Sequence, residues 1–378
     1  MKKAKNQPNN PFILAGYHSA KYFCDREKET QRILDAIYNH RNLVLLSLRR
    51  MGKTDLIEHV FNSPKAKSEY NCFYVDAYPT SNLSEFVKLL SKAIIGKLDS
   101  KIENIVKKAT ALFKSIHPIV SFNEITGNPE IEIALRNENH PENSLDELFS
   151  YLQQKETPVV IAIDEFQQIA QYPEKNTEAL LRTHIQHMTN VVFIFSGSQR
   201  HLLMNMFTAY NRPFYQSAEL LFLQAIPLQS YAPFVKKKMK EGNKEILPET
   251  IEYLYTELAG HTWYMQYTLN KLYTSSATVI TLLELKRQLD EIVKESEALY
   301  FDYRNLLTAT QWVLLQSIAK ERELKEPTAQ SFTQKYTLVP GSIQRTLKAL
   351  KEKEMIYEEN GIYSVYNQFL AYWLREKF

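Results

Sequence analysis

The chain alternates short apolar runs with longer stretches in which apolar residues return every third or fourth position. Leu43-Val44-Leu45-Leu46, Cys72-Phe73-Tyr74-Val75-Asp76, Pro158-Val159-Val160-Ile161-Ala162-Ile163 and Val191-Val192-Phe193-Ile194-Phe195 are continuous runs. Such runs predict strands buried on both faces, as in a parallel sheet. Between them lie segments of helical period: Asp25 to Tyr38, with Ile33, Leu34 and Ile37 on one side and Asp25 as expected N-cap; Asp55 to Phe61; Leu83 to Leu98, with Phe86, Leu89, Leu90 and Ala93 in a stripe; Leu145 to Gln154; and Thr177 to Met188. Strands alternating with helices predict an α/β fold with a parallel sheet. Residues 99–142 lack this order and are punctuated by His117-Pro118 and Gly127-Asn128-Pro129, so they are expected to form an insertion or long excursion.

Beyond Gln224 the strand signal stops. Tyr231 to Met239, Pro248 to Leu258, Trp263 to Tyr273 and Thr281 to Leu299 predict a helical subdomain that would serve as a lid. From Ala309 the pattern changes again. Helices over Thr310 to Ala319 and Thr328 to Tyr336, a turn at Val339-Pro340-Gly341, a helix over Ser342 to Glu354 capped by Ser342, and a hairpin around Asn360-Gly361 predict a winged helix. The expected organisation is a loose tail over 1–11, a core over 12–224, a lid over 225–308 and a winged helix over 309–378.

The first apolar run leads into Ser47-Leu48-Arg49-Arg50-Met51-Gly52-Lys53-Thr54, and a helix follows at Asp55. A strand, a loop ending in Gly-Lys-Thr and a helix make a phosphate-binding loop: backbone N–H groups at the helix N-terminus face phosphate, the lysine neutralises it, and the hydroxyl ligates Mg²⁺. Ser47, Arg49, Arg50, Met51, Gly52, Lys53, Thr54 and Asp55 are therefore the expected nucleotide-binding residues, although Ser47 stands where the motif has its first glycine. Mg²⁺ needs a carboxylate as well, and the run ending Ile163-Asp164-Glu165 delivers one to the same sheet edge. Thr54 and Asp164 are the expected metal ligands, and Glu165 is the expected base for the attacking water. Ser196 and Ser198 end the next strand, where either hydroxyl can sense the γ-phosphate or simply terminate the strand. Arg200 and Arg212 are candidates for a phosphate-reaching arginine or for ordinary solvated side chains.

Composition narrows the setting. A length of 378 residues with 44% hydrophobic content suits two or three domains, and a net charge of +3 neither demands nor excludes nucleic acid. Cys24 and Cys72 are too few for a disulfide framework, and no run of about 18 apolar residues occurs, so a cytoplasmic protein without a membrane span is expected. The basic start, Met1 to Asn10, lacks the apolar core of a signal peptide. His184 and His187 share a helical face without a third metal ligand nearby, and Lys236-Lys237-Lys238 reads as a solvated face. The 23 tyrosines and 19 phenylalanines are spread through every predicted element, as core packing requires.

Taken together, Phe23-x-Asp25-Arg26-x-x-Glu29, Arg49-Arg50-x-Gly52-Lys53-Thr54, Ile163-Asp164-Glu165-Phe166-Gln167 and Phe195-Ser196-Gly197-Ser198 resemble the AAA-related P-loop ATPases of the archaeal-type, STAND-like class. The resemblance implies that Phe23, Asp25 and Arg26 lie near the adenine and that Ser198 is the first sensor. It also places the start of the helical subdomain at Gly260-His261-Thr262, with Thr262 where that family usually has proline, and a winged helix is often appended to such ATPases. The expectation is an ATPase that binds ATP and Mg²⁺, with catalytic residues Lys53, Glu165, Ser198 and Arg200, hydrolysing slowly as a conformational switch. The alternative is a nonhydrolysing nucleotide-binding regulator whose winged helix binds DNA through Gln344, Arg345, Lys348 and Lys351. A protein partner or a second copy of the chain is also open as the thing controlled.

Overall fold

The computed structural model describes residues 8–99, 101–122 and 128–378. They form two compact units, one of residues 17–224 and one in which residues 8–16 join 225–378.

The first unit is built on five parallel strands: β1 (Leu43–Leu46), β2 (Asn71–Asp76), β3 (Val159–Asp164), β4 (Val191–Gly197) and β5 (Glu219–Phe222), in the spatial order β2-β3-β4-β1-β5. Helices cover the sheet, which is why β1, β3 and β4 are apolar along nearly their whole length and buried throughout. Parallel register matters for chemistry because it brings every strand's C-terminal end to one edge. Asp76 pairs with Asp164 and Leu46 with Gly197, so the segments that follow β1, β3 and β4 start side by side.

Local starts and stops differ from expectation in places. The helix expected from Asp25 runs from Glu27 to Tyr38, and its N-cap is Arg26 in the left-handed region, without a side-chain cap. Residues 99–142 are more regular than their composition suggests. A helix, Ile102–Leu112, is followed by an antiparallel hairpin of Ile116–Phe122 and Pro129–Leu135. Pro118 is tolerated inside that hairpin because a two-stranded ribbon leaves each strand one unpaired side. The alternation Glu130-Ile131-Glu132-Ile133 was its signal, with Ile131 and Leu135 buried and Glu130 and Glu132 exposed.

In the second unit the helices Leu228–Glu241, Pro248–Glu257 and Thr262–Thr274 are followed by Leu282–Glu295 and Glu297–Asn305, two helices where one was expected, divided at Ser296. Strand pairing does not stop altogether, since Glu245–Ile246 and Val279–Ile280 form a short parallel ribbon. Lys238 breaks the expectation of a solvated lysine run, being buried with its ammonium 3.0 Å from Glu241, while Lys236 and Lys237 are exposed. Residues 1–7 of the expected loose tail lie outside the described residues. Just after them the chain is anchored: Asn10 donates to the Asn270 carbonyl at 2.9 Å, Asn270 donates back to that of Phe12 at 2.8 Å, and Phe12 is fully buried against Tyr273.

The winged helix comprises Ala309–Glu321, Gln330–Lys335, Pro340–Glu352 and a hairpin of Ile356–Glu359 with Ile362–Val365. Asn360 and Gly361 both have positive φ, 51° and 77°, as a two-residue turn of this twist requires. Its third helix begins earlier than expected. Pro340 occupies the first turn, Val339 is the N-cap, and the Ser342 hydroxyl bonds back to the Val339 carbonyl. A last helix, Gln368–Lys377, capped by Asn367, sets Phe369 among Trp263, Tyr264 and Tyr267 and brings Arg375 to Glu257. The helical subdomain and the winged helix are thereby joined in one body. No helix among the described residues is long and apolar enough to cross a membrane.

Candidate nucleotide-binding site

The loop after β1 reaches the helix Lys53–Phe61 through Gly52, whose φ of 90° is a conformation that a side chain would strain. Gly52 is the N-cap of that helix, so the first-turn N–H groups are left for an anion. Lys53 is buried at the helix start. Desolvation lowers its pKa, while the nearby charges of Asp164 and Glu165 act in the opposite direction. Ser47 is buried as well, and its hydroxyl turns back to the Leu48 carbonyl.

Asp164, at the end of β3, collects three hydroxyl donors. Thr54 Oγ1 at 2.9 Å and Tyr74 OH at 2.8 Å share Oδ2, and Ser196 Oγ donates to Oδ1 at 2.6 Å. Burial alone would raise this carboxyl, but Lys53 and the three hydroxyls together hold it below its ordinary range. Convergence of a hydroxyl and an ionised carboxylate fits a hard divalent cation that takes its remaining ligands from water and phosphate. The residues therefore fit Mg²⁺, which Thr54 and Asp164 would hold. Among the described residues no cluster of three or more His, Cys, Asp or Glu could hold a metal by itself.

Glu165 follows in the left-handed region, with φ 52° and ψ 38°. A non-glycine residue held there carries backbone strain, which is frequent at functional positions. Its Oε2 accepts from Ser198 N at 3.2 Å, from Ser198 Oγ at 2.8 Å and from Gln167 Nε2. Arg49 Nε in turn donates to Ser198 Oγ at 3.2 Å. The two serines thus divide the work, Ser196 going to Asp164 and Ser198 to Glu165. Gln167 is buried, and its amide oxygen lies where a Cβ on Gly197 would come within 1.9 Å, so any larger residue there would have to displace the Gln167 amide.

The other expected residues scatter more. Phe23 stacks on His59 of the phosphate-loop helix, with centroids 4.2 Å apart and planes 10° from parallel, and Tyr17 closes on the same imidazole. Asp25 and Arg26 both have positive φ. Arg26 is buried and pairs with Glu29 at 3.0 Å, leaving its Nη2 without a hydrogen-bond partner among the described residues. Burial, helped by Glu58, pushes the Asp55 carboxyl up. Arg200 begins a helix and lies 5.7 Å over the Phe222 ring, and Arg212 pairs with Glu178; neither joins the cluster around Asp164 and Glu165. His184 turns to Asp146 and His187 to Gln186, so the two do not share a ligand. Tyr74 and Gln167 were not anticipated. Tyr74 announces itself only through register, its strand lying beside β3 and its position two residues before the strand's end, opposite Ala162.

A parallel sheet with a phosphate loop after one strand and an acidic pair after another defines a P-loop ATPase, here with a winged helix behind it. The chain belongs to the family of ATPase domains found predominantly in Archaea, whose model matches residues 23–268, and residues 298–376 match a probable winged helix domain. Among similar solved structures, the Walker-type ATPase paby2304 of Pyrococcus abyssi is 19% identical with a TM-score of 0.67, over 97% of this chain and 99% of that one. The Aeropyrum pernix ORC2 protein, in ADPNP-ADP complexes, is 14% identical with a TM-score of 0.59, over 97% and 95%. Drosophila ORC bound to DNA is 12% identical with a TM-score of 0.52, over 100% and 96%. These three are likenesses of fold. No curated protein matches the chain significantly.

Proposed function

We propose that this protein binds Mg–ATP at the loop 47–54 and hydrolyses it slowly, using the bound nucleotide as a conformational switch. Lys53 and the N–H groups after Gly52 would hold the phosphates, Thr54 and Asp164 would hold Mg²⁺, and Glu165 would take the proton of the attacking water. The metal, when bound, supplies charge neutralisation on the phosphates. The observation that carries the reading is the Thr54–Asp164 contact beside a buried Lys53. Slow turnover is supported by Glu165, whose Oε2 accepts three hydrogen bonds that leave the carboxylate little freedom to turn toward a water molecule. The switched element is the body formed by lid and winged helix, with DNA, a protein or a second copy of the chain as what it meets. Cys24 and Cys72 form no disulfide, which supports a reducing compartment such as the cytoplasm.

The same engaged Glu165 also favours a second reading, in which nucleotide binds without turnover and the winged helix acts on DNA. Steady-state hydrolysis and ADP binding by wild type and Lys53→Ala separate the two. The switch ATPase requires measurable turnover in wild type and loss of nucleotide binding in the variant; tight binding with no turnover transfers the case to the second reading. Small-angle scattering and hydrogen exchange that are identical with ADP and with a nonhydrolysable ATP analogue would remove the switch.

A further inference from the structure

Behind the nucleotide loop, where β2 forms the open edge of the sheet, the first unit contains a cavity of about 630 Å³. It lies among the end of the helix Lys53–Phe61, the helices Leu83–Ile95 and Ile102–Leu112, and the N-terminal ends of β2 and β3. Four lysines line it, Lys67, Lys97, Lys108 and Lys155, against a single carboxylate, Glu58. Lys108 is matched by Asp99 at 2.7 Å. The other three make no ion pair among the described residues: Lys97 donates to the Cys72 carbonyl on the open strand edge, Lys155 stands 4.4 Å over the Tyr151 ring, and Lys67 is exposed at the rim. Much of the remaining wall is aromatic, from Phe61, Tyr70, Phe73, Tyr74 and Tyr151.

Cationic side chains gathered on a concave wall focus positive potential, and a half-open cleft of this size that mixes aromatic faces with polar groups can hold a small polar ligand. We propose that this cavity is a second ligand site, separate from the phosphate loop, for an organic anion that carries a flat ring. Its phosphate, sulfonate or carboxylate would lie among Lys67, Lys97 and Lys155, and its ring against the tyrosines. Tyr74 links this cavity to the other site, because it lines the wall while its hydroxyl holds Asp164 at 2.8 Å. An occupant that shifts Tyr74 alters the support of Asp164 and with it the affinity for Mg-nucleotide. This last consequence rests on the proposed nucleotide reading, but the site itself does not.

Pyridoxal 5′-phosphate is a suitable probe, being a ring-bearing phosphate whose aldehyde forms an imine with a lysine amine, releasing water, which borohydride then reduces to a stable amine. The full chain is labelled with saturating Mg-ADP and, separately, as the Lys53→Ala variant, and modified lysines are mapped by peptide mass. Lys67, Lys97 and Lys155 are expected to label about tenfold or more faster than exposed Lys348, in keeping with focusing by a charged cleft. Leu112→Trp, which fills the cavity from a half-exposed position, should bring them back to the Lys348 rate, and Leu98→Phe serves if that variant melts early. Equal labelling of all exposed lysines, or undiminished labelling in the filled variant, overturns the site. Failure of ADP binding overturns only the nucleotide reading, because the Lys53→Ala arm is independent of it.

Discussion

The Ser198 hydroxyl donates to the Glu165 carboxylate at 2.8 Å, and the Ser198 N–H and the Gln167 amide donate to the same oxygen. A base held by three donors on one oxygen is well placed but restrained, because each donor fixes the direction in which the carboxylate points. Two variants separate position from restraint. Glu165→Gln removes the base and should lower kcat by about 10² or more while leaving ADP affinity unchanged. Gln167→Leu keeps the volume and removes one donor to a charged acceptor, worth about 1.5–3 kcal/mol, and should raise kcat about tenfold. Single-turnover rates measure both, and a slower Gln167→Leu enzyme would show that the amide positions Glu165 rather than restrains it.

Asp164 gives a pH signature. Burial raises its pKa, but Lys53 and the hydroxyls of Ser196, Tyr74 and Thr54 outweigh it, so the folded value lies below the unfolded one. A depressed carboxyl adds stability that is present above its unfolded pKa, near 3.8, and is lost as pH falls through the folded value. In Lys53→Met the main opposing charge is gone and burial is countered by the three hydroxyls alone, so the folded pKa of Asp164 rises. Less stability is then lost on acidification, and the variant should gain stability relative to wild type as pH falls from about 6 to 3. Urea midpoints of the nucleotide-free proteins across that range test this, and parallel curves would mean that Lys53 does not govern Asp164.

Glu257 holds the helical subdomain and the winged helix together. One of its oxygens accepts from Arg322 at 2.6 Å and the other from Arg375 at 2.8 Å, and Arg375 also reaches the Glu257 carbonyl at 2.9 Å. Both Glu257 and Arg375 are largely buried, so Glu257→Ala leaves a guanidinium out of water without its counter-charge. The expected loss is about 3–5 kcal/mol in urea unfolding, and a loss below about 1 kcal/mol would show that water reaches Arg375.

Much of this architecture was legible because burial on both faces leaves its mark in composition: Leu43–Leu46, Val159–Asp164 and Val191–Gly197 read as strands and are strands. The positions of Asp164 and Glu165 followed from the end of a strand, and those of Lys53 and Thr54 from the start of the helix after the loop. What escaped depends on strand register and backbone conformation rather than on periodicity. Tyr74 reaches Asp164 only because β2 lies beside β3 in that register, and Gln167 reaches Glu165 only because the chain turns back through a left-handed residue. Capping was missed at Arg26 and Val339 for a local reason, since neither helix start uses the side-chain oxygen that marks such sites in sequence. The helix Gln368–Lys377 carries tertiary contacts that no periodicity announces.

The winged helix sets a limit on DNA binding. Gln344, Arg345, Lys348 and Lys351 are exposed along the third helix, as expected of a groove-reading row. Lys351, however, is paired with Glu358 of the wing at 2.6 Å, and Lys348 lies 3.9 Å from Glu352. A phosphate must compete with these carboxylates for the same ammonium groups, so few counterions are released when duplex DNA binds. With two effective contacts, the slope of log K against log salt should be near −2, far shallower than for proteins making about 6–10 phosphate contacts. Glu358→Gln frees Lys351 and removes a repelling charge, which should steepen the slope by about 1 and raise affinity for random duplex. Fluorescence anisotropy across a salt series reads both quantities. A steep slope in wild type that Glu358→Gln leaves unchanged would place the DNA contacts on another surface.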